Sequence, residues 1–185
     1  INPIFILPRA LESGGEELVG EYVTSVLMGA GQFCTNPGIT VVLASEASGR
    51  FIAGAASAFE EAEPGYLLGE RVVSGLGESI EALVACGAEL LTGGKPVEGE
   101  GFRFQNTLLR VSGSDFLQQP EALQREAFGN AGLIIEAADE GELIGISKVF
   151  EGNLTGCIYS DSEGGDEALY GPIARSLRRQ VGRLL

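Results

Sequence analysis

The chain contains no histidine. That absence removes the side chain most used for general acid–base work near neutral pH and for binding transition metals. A Cys–His hydrolase cannot be assembled from these residues, because no imidazole is available to take the proton of a thiol. Cysteine is scarce as well. Cys34, Cys86 and Cys157 are odd in number, far apart and without a Cys-x-x-Cys pair. Neither a disulfide scaffold nor a zinc site is expected from them, and reduced thiols in the cytoplasm fit this usage. Positive charge is also thin. The densest cationic run is Arg175, Arg178, Arg179 and Arg183, in a chain of formal net charge −14, so nucleic acid is not an expected partner. No apolar run approaches the ~20 residues that span a bilayer, so no membrane partner is expected. The opening residues, INPIFILPRAL, lack the charged segment that precedes the apolar part of a signal peptide.

What is present suits a packed core. Of the 185 residues, 44% are hydrophobic, enough for one domain or slightly more. The 28 glycines follow no repeat and punctuate short elements. Both ends run directly in apolar sequence, which reads as a cut through a longer protein.

Two periods alternate along the chain. Ile4 to Leu7, between Pro3 and Pro8, reads as a buried strand. Residues 16–30 carry apolar side chains at Leu18, Val19, Tyr22, Val23, Val26 and Leu27, spaced as one helix face, with Gly29 and Gly31 at its end. GITVVLAS, from Gly38, is a strand covered on both faces. Ser48 is the expected cap of a helix over 49–62, and a further helix is expected over 74–85. AELLTGG, NTLLRV, GLIIEA, LTGCIYS and GRLL read as strands. ADEGELIGISKVFEG reads as a helix whose first acidic residues suit its positive end. Residues 166–179 read as a helix that Gly171-Pro172 should break or kink. Strands alternating with helices predict an α/β fold, a mainly parallel twisted open sheet with helices on both faces.

Cys34 lies in GAGQFCTNPG, between a helix and a strand, among Gln32, Thr35 and Asn36. Such polar company is poor for a core position, and connecting segments carry exposed functional groups. Cys86 and Cys157 sit in apolar runs and read as buried. With no histidine, activation of Cys34 must come from backbone amides, a cofactor's positive charge or a base outside the chain. The second candidate is Glu126-Ala127-Phe128-Gly129, where the glycine permits a tight turn that presents Glu126 and Phe128. TGGK at 92–95 is no phosphate loop, since its glycine spacing is wrong and Pro96 stands where Ser or Thr is needed.

Taken in order, NPIFILP, GQFCTNPG, TGG, TLL, EAFG and LTG resemble the catalytic domain of the aldehyde dehydrogenase superfamily over essentially all 185 residues. The similarity is greatest to its α-ketoglutarate semialdehyde (2,5-dioxovalerate) branch, with fatty-aldehyde dehydrogenases as related alternatives. The resemblance implies that Cys34 is the catalytic thiol. It implies cofactor contacts for Glu126, at the nicotinamide ribose, and for Phe128, beside the nicotinamide. It further implies NAD or NADP as cofactor, a small aldehyde as substrate, thiohemiacetal and thioester intermediates on Cys34, and a homo-oligomeric full-length protein. Two positions depart from the family pattern: Asn106 and Asn130 stand where proline is usual. The family's general-base glutamate, oxyanion-holding asparagine and cofactor-binding domain have no counterpart in these residues, so the chain alone is expected to be inactive. The rival classes are a non-catalytic interaction module and a redox-sensing thiol protein, the latter disfavoured by the lack of a resolving cysteine near Cys34.

Overall fold

The computed structural model describes residues 1–185. The elements run β1 (Pro3–Ile6), α1 (Pro8–Leu27), β2 (Ile39–Leu43), α2 (Glu46–Glu61), α3 (Glu70–Ala85), β3 (Glu89–Thr92) and β4 (Thr107–Ser112). They continue with α4 (Gly113–Gln118), α5 (Pro120–Leu123), β5 (Ala131–Ala137), α6 (Glu140–Ile146), β6 (Asn153–Tyr159), α7 (Glu167–Leu177) and β7 (Val181–Leu184). They form one open sheet in the order β3-β4-β5-β2-β1-β6-β7. Every neighbouring pair is parallel except β3–β4. That pair is joined without a helix, and an antiparallel pair needs no crossover.

Successive side chains of each central strand go to opposite faces. Phe5, Val41, Leu133, Ile135 and Leu109 join a cluster closed by α3, α4, α6 and α7. Ile4, Ile6, Val42, Ile134 and Leu108 join a second cluster closed by α1 and α2. Burial on both faces is why these strands read as unbroken apolar runs. No helix is long and apolar enough to cross a membrane.

The helix limits differ from those expected, each for a local reason. α1 starts at Pro8 rather than residue 16. Proline at the first helical position loses no hydrogen bond. Gly15, at φ +50°, separates this added segment from the expected face of Leu18, Tyr22, Val23 and Val26. Leu7 cannot cap the helix, and the carboxylate of Asp166 does so from across the sheet, accepting from the Arg9 N–H at 3.1 Å. α2 is capped by Ser45, not Ser48. The Ser45 hydroxyl accepts from the Ser48 N–H at 3.0 Å, and the Ser48 hydroxyl accepts from the Ser45 N–H at 2.8 Å. That is a reciprocal capping box with serine in the third position. α6 stops at Ile146, where the Ser147 hydroxyl donates back to the Ile144 carbonyl at 2.7 Å. α7 runs through Pro172 unbroken. Proline there deprives one carbonyl, that of Ala168 four residues earlier, of its partner, and Ala168 is exposed to water.

Candidate active site

Six strands run parallel, so the loops that enter them gather along one edge of the sheet. Cys34 lies on that amino edge. α1 ends at Leu27, and Gly29, Ala30 and Gly31 follow with φ of +58°, +55° and +66°. Three successive left-handed residues turn the chain sharply out of the helix. Ala30 has a Cβ and holds that conformation at a cost of about 1–2 kcal/mol. The turn delivers Gln32–Asn36 to the edge with Cys34 exposed. Asn36 N–H donates to the Phe33 carbonyl at 3.0 Å, whereas the N–H groups of Cys34 and Thr35 donate to nothing within the chain. The Gln32 amide fastens the loop sideways. Its Nε2 donates to the Tyr66 carbonyl at 3.0 Å, and its Oε1 accepts from the Leu68 N–H at 2.7 Å. Phe33, Tyr66 and Leu68 form an exposed apolar rim on these two segments.

The Glu126–Gly129 turn enters β5 on the same edge. Gln124 anchors its start, donating to the Val149 carbonyl at 3.1 Å and accepting from the Glu151 N–H at 2.8 Å. Arg125 Nε donates to Ser79 on α3 at 3.2 Å. Glu126 is exposed, with one carboxylate oxygen 3.4 Å from the Ile1 ammonium. Phe128 is half-buried. A carboxylate so presented can accept two hydroxyl groups, and the Phe128 ring offers a flat apolar face beside it.

The two loops meet backbone to backbone. A Cβ on Gly31 would fall inside the Gly129 carbonyl, so only glycine permits this approach. Gly129 itself has φ +147° and lies against Leu76 of α3. The sequence therefore brings Cys34 and the Glu126–Phe128 turn to one edge through a pair of glycines.

Behind this contact stands a buried pair of asparagines. Asn130 Nδ2 donates to the Phe104 carbonyl at 2.7 Å and to Asn106 Oδ1 at 2.8 Å. Asn106 Nδ2 in turn donates to the carbonyls of Phe59, at 3.2 Å, and Ala62, at 2.8 Å, at the end of α2. These are the two positions where the family pattern has proline. Neither backbone N–H makes a hydrogen bond, so proline would forfeit none there. The departures are thus one coupled feature rather than two loop variations. Asn2, which the sequence pattern did not single out, donates from Nδ2 to the carbonyls of Cys34 at 2.9 Å and Asn36 at 3.0 Å.

The other cysteines are not fully buried as expected. Cys86 follows the last turn of α3 and Cys157 lies in β6 at the margin of the α1–α2 layer, so both are half-covered. Burial pushes the Cys157 thiol up from its ordinary value, against a smaller opposing effect of the Ile158 N–H.

The model of the aldehyde dehydrogenase family matches residues 2–169. An α-ketoglutaric semialdehyde dehydrogenase of Azospirillum brasilense is 29% identical over 185 residues, all of this chain and 35% of that protein. The chain thus spans about a third of the length of that curated relative. Among solved structures, lactaldehyde dehydrogenase from Escherichia coli superposes with a TM-score of 0.79 at 20% identity, over 99% of this chain and 38% of the other. An indole-3-acetaldehyde dehydrogenase in complex with NAD+ gives 0.77 at 18% identity, over 99% and 37%. At these identities the superpositions speak to fold, and the fold is that of aldehyde dehydrogenases.

Proposed function

The chain belongs to the aldehyde dehydrogenase family, and from that premise we propose that its 185 residues are the thiol-bearing catalytic domain of an NAD(P)-dependent enzyme that oxidises an aldehyde. The observation that carries this reading is the meeting of two loops. The one exposed thiol, Cys34, and the presented Glu126–Phe128 turn are locked together through Gly31 and Gly129. The similarity to an α-ketoglutaric semialdehyde dehydrogenase favours 2,5-dioxovalerate as substrate and 2-oxoglutarate as product.

The residues fit a nicotinamide cofactor at this edge. Glu126 would accept hydroxyls of its ribose and Phe128 would pack beside its ring. When bound, the cofactor supplies the acceptor for hydride. The chemistry of the chain's own residues starts with the Cys34 thiolate. Its Sγ attacks the aldehyde carbon, the C–S bond forms, and the carbonyl π pair moves onto oxygen. The Cys34 N–H, which has no partner within the chain, is free to hold that oxyanion. No imidazole is required, because this addition expels no amine that must be protonated.

Turnover also needs a held dinucleotide and a base for the acyl-enzyme, and neither is assigned to these residues. Loss of a general base alone costs about 10²–10⁴-fold in rate. The chain by itself is therefore expected to add aldehyde without oxidising it. The experiment combines the 185-residue chain with ¹³C-labelled 2,5-dioxovalerate and NAD+ or NADP+. A thiohemiacetal carbon signal should appear, vanish in Cys34→Ser, and be accompanied by no reduced cofactor. A signal that survives Cys34→Ser removes Cys34 from its role. Cys34-dependent reduction of the cofactor would show that the chain is itself a complete catalyst.

A further inference from the structure

The chain has five asparagines, Asn2, Asn36, Asn106, Asn130 and Asn153, and all five lie where a parallel strand begins. Asn2, Asn106 and Asn130 immediately precede β1, β4 and β5, Asn36 lies three residues before β2, and Asn153 opens β6. Four of them donate from Nδ2 to backbone carbonyls, and the Asn36 side chain bonds no backbone group; asparagine offers a donor and an acceptor on one short side chain.

Asn2 has the most partners near the candidate thiol. It is buried, at φ +49°, a left-handed conformation that asparagine tolerates better than most residues. Its Oδ1 accepts from the Thr155 N–H at 3.0 Å, and its own N–H donates to Asn153 Oδ1 at 3.0 Å, so it is fixed to β6. Its Nδ2 faces two acceptors, the Cys34 and Asn36 carbonyls, which settles the orientation of the amide.

We propose that Asn2 is the positioning residue of Cys34. The trans peptide is planar, so the N–H of Thr35 points opposite to the Cys34 carbonyl. By holding that carbonyl inward, Asn2 turns the Thr35 N–H outward. There it joins the Cys34 N–H as a second uncommitted donor on the open side of the loop. Two such donors favour negative charge on the thiol and on what the thiol forms. Without Asn2 the peptide is free to rotate and the second donor is lost.

This inference rests on Cys34 being the reactive thiol, and its test separates the two claims. In the intact chain, alkylation by iodoacetamide is followed at each cysteine by mass spectrometry across pH. Asn2→Gly keeps the left-handed backbone and removes the amide. Asn2→Asp keeps the shape and turns a carboxylate on the two carbonyls. Both should slow Cys34 alkylation at pH 7 by about threefold or more and move its pH–rate profile to higher pH, as loss of one thiolate donor requires. Phe116→Leu, in α4 beyond the opposite edge, loosens the core and should leave that profile in place. Profiles of both Asn2 variants that superimpose on the parent's overturn the proposal. If instead Cys34 in the parent reacts no faster than Cys86 and Cys157, the reading of Cys34 itself fails. A measurement on the unaltered chain stands whether or not a variant folds. The Thr35 amide resonance should shift as Cys34 ionises, and an unmoved resonance overturns the proposal.

Discussion

Replacing Gly31 by alanine tests whether the Cys34 loop and the Glu126 turn are one unit. Two separable costs apply. The backbone at φ +66° is left-handed, which a Cβ disfavours by about 1–2 kcal/mol. The Cβ would also overlap the Gly129 carbonyl, a backbone group that no side-chain rotation can move aside. Overpacking of this kind costs about 1–3 kcal/mol. A small gain of about 0.4–1 kcal/mol, from the stiffer unfolded chain, offsets part of it. The net loss is about 2–4 kcal/mol, and at about 2–4 °C per kcal/mol for a chain of this size the midpoint should fall by about 5–15 °C. Gly87 provides the control. It ends α3 in the left-handed conformation, at φ +98°, with its N–H on the Val84 carbonyl at 3.0 Å and the Ala88 N–H on the Leu83 carbonyl at 3.1 Å, but a Cβ there meets nothing within 4 Å. Gly87→Ala should therefore lose only about 1 kcal/mol, the conformational part. Thermal unfolding of both variants, followed by circular dichroism, isolates the clash as their difference. Because the loop in Gly31→Ala must move to relieve the overlap, alkylation of Cys34 should change in that variant and not in Gly87→Ala. Equal midpoints for the two would refute the backbone contact, and with it the argument that glycines join the two candidate loops.

The asparagine pair and an acid-sensitive turn give two further expectations. Asn130→Ala leaves the Phe104 carbonyl and Asn106 Oδ1 without their donor, at about 1–3 kcal/mol each; urea unfolding should show a loss of about 2–4 kcal/mol, and a change below about 1 kcal/mol would sink the idea. Adding Asn106→Ala should cost less than the sum of the single losses, because the partners share one network. At the opposite edge, the Gly165 N–H foremost, with those of Asp166 and Glu163 and the Arg9 charge, holds the Asp161 carboxyl below the usual carboxylate range, against a smaller upward effect of burial. A carboxylate depressed in the folded state adds stability that is full above its unfolded value, about 3.9, and is lost as pH falls through the folded one. The parent's midpoint should therefore drop below about pH 4 more steeply than that of Asp161→Ala, and parallel curves would refute the assignment.

The architecture was legible because the strands are covered on both faces. Continuous apolar runs such as ITVVL and GLIIEA are short, rich in β-branched residues and entered through glycine, which separates them from buried helices. What local pattern could not supply was closure at a distance. The true start of α1 depends on Asp166, more than 150 residues away, so nothing beside Leu7 and Pro8 advertises a cap. The cap of α2 was misplaced by three residues for the opposite reason. Ser45 and Ser48 both belong to the motif, and each caps the other's backbone.

At the candidate site, local pattern drew attention to the residues proposed to touch a ligand and not to the contacts that hold them. Cys34, Glu126 and Phe128 stood out because polar or glycine neighbours set them apart from core runs. Gly31 and Asn2 act through contacts to residues distant in sequence, to which periodicity is blind, and Asn106 and Asn130 stood out only as departures from a family pattern, not as a bonded pair. One signal was nevertheless present. A residue type that occurs five times in 185 positions, each time at the mouth of a strand, is a pattern without a period. It follows from topology. Ligands in open parallel sheets commonly sit outside the carboxyl ends of the strands, where helix N-termini point at them. A site on the amino edge has no such N–H groups and must build its donors from loop peptides. Loop peptides present their N–H groups outward only if their carbonyls are held inward, and a short side chain with two amide protons can hold them. Asn2 meets this requirement for Cys34, while Asn106, Asn130 and Asn153 hold other carbonyls along the same edge and Asn36 holds none.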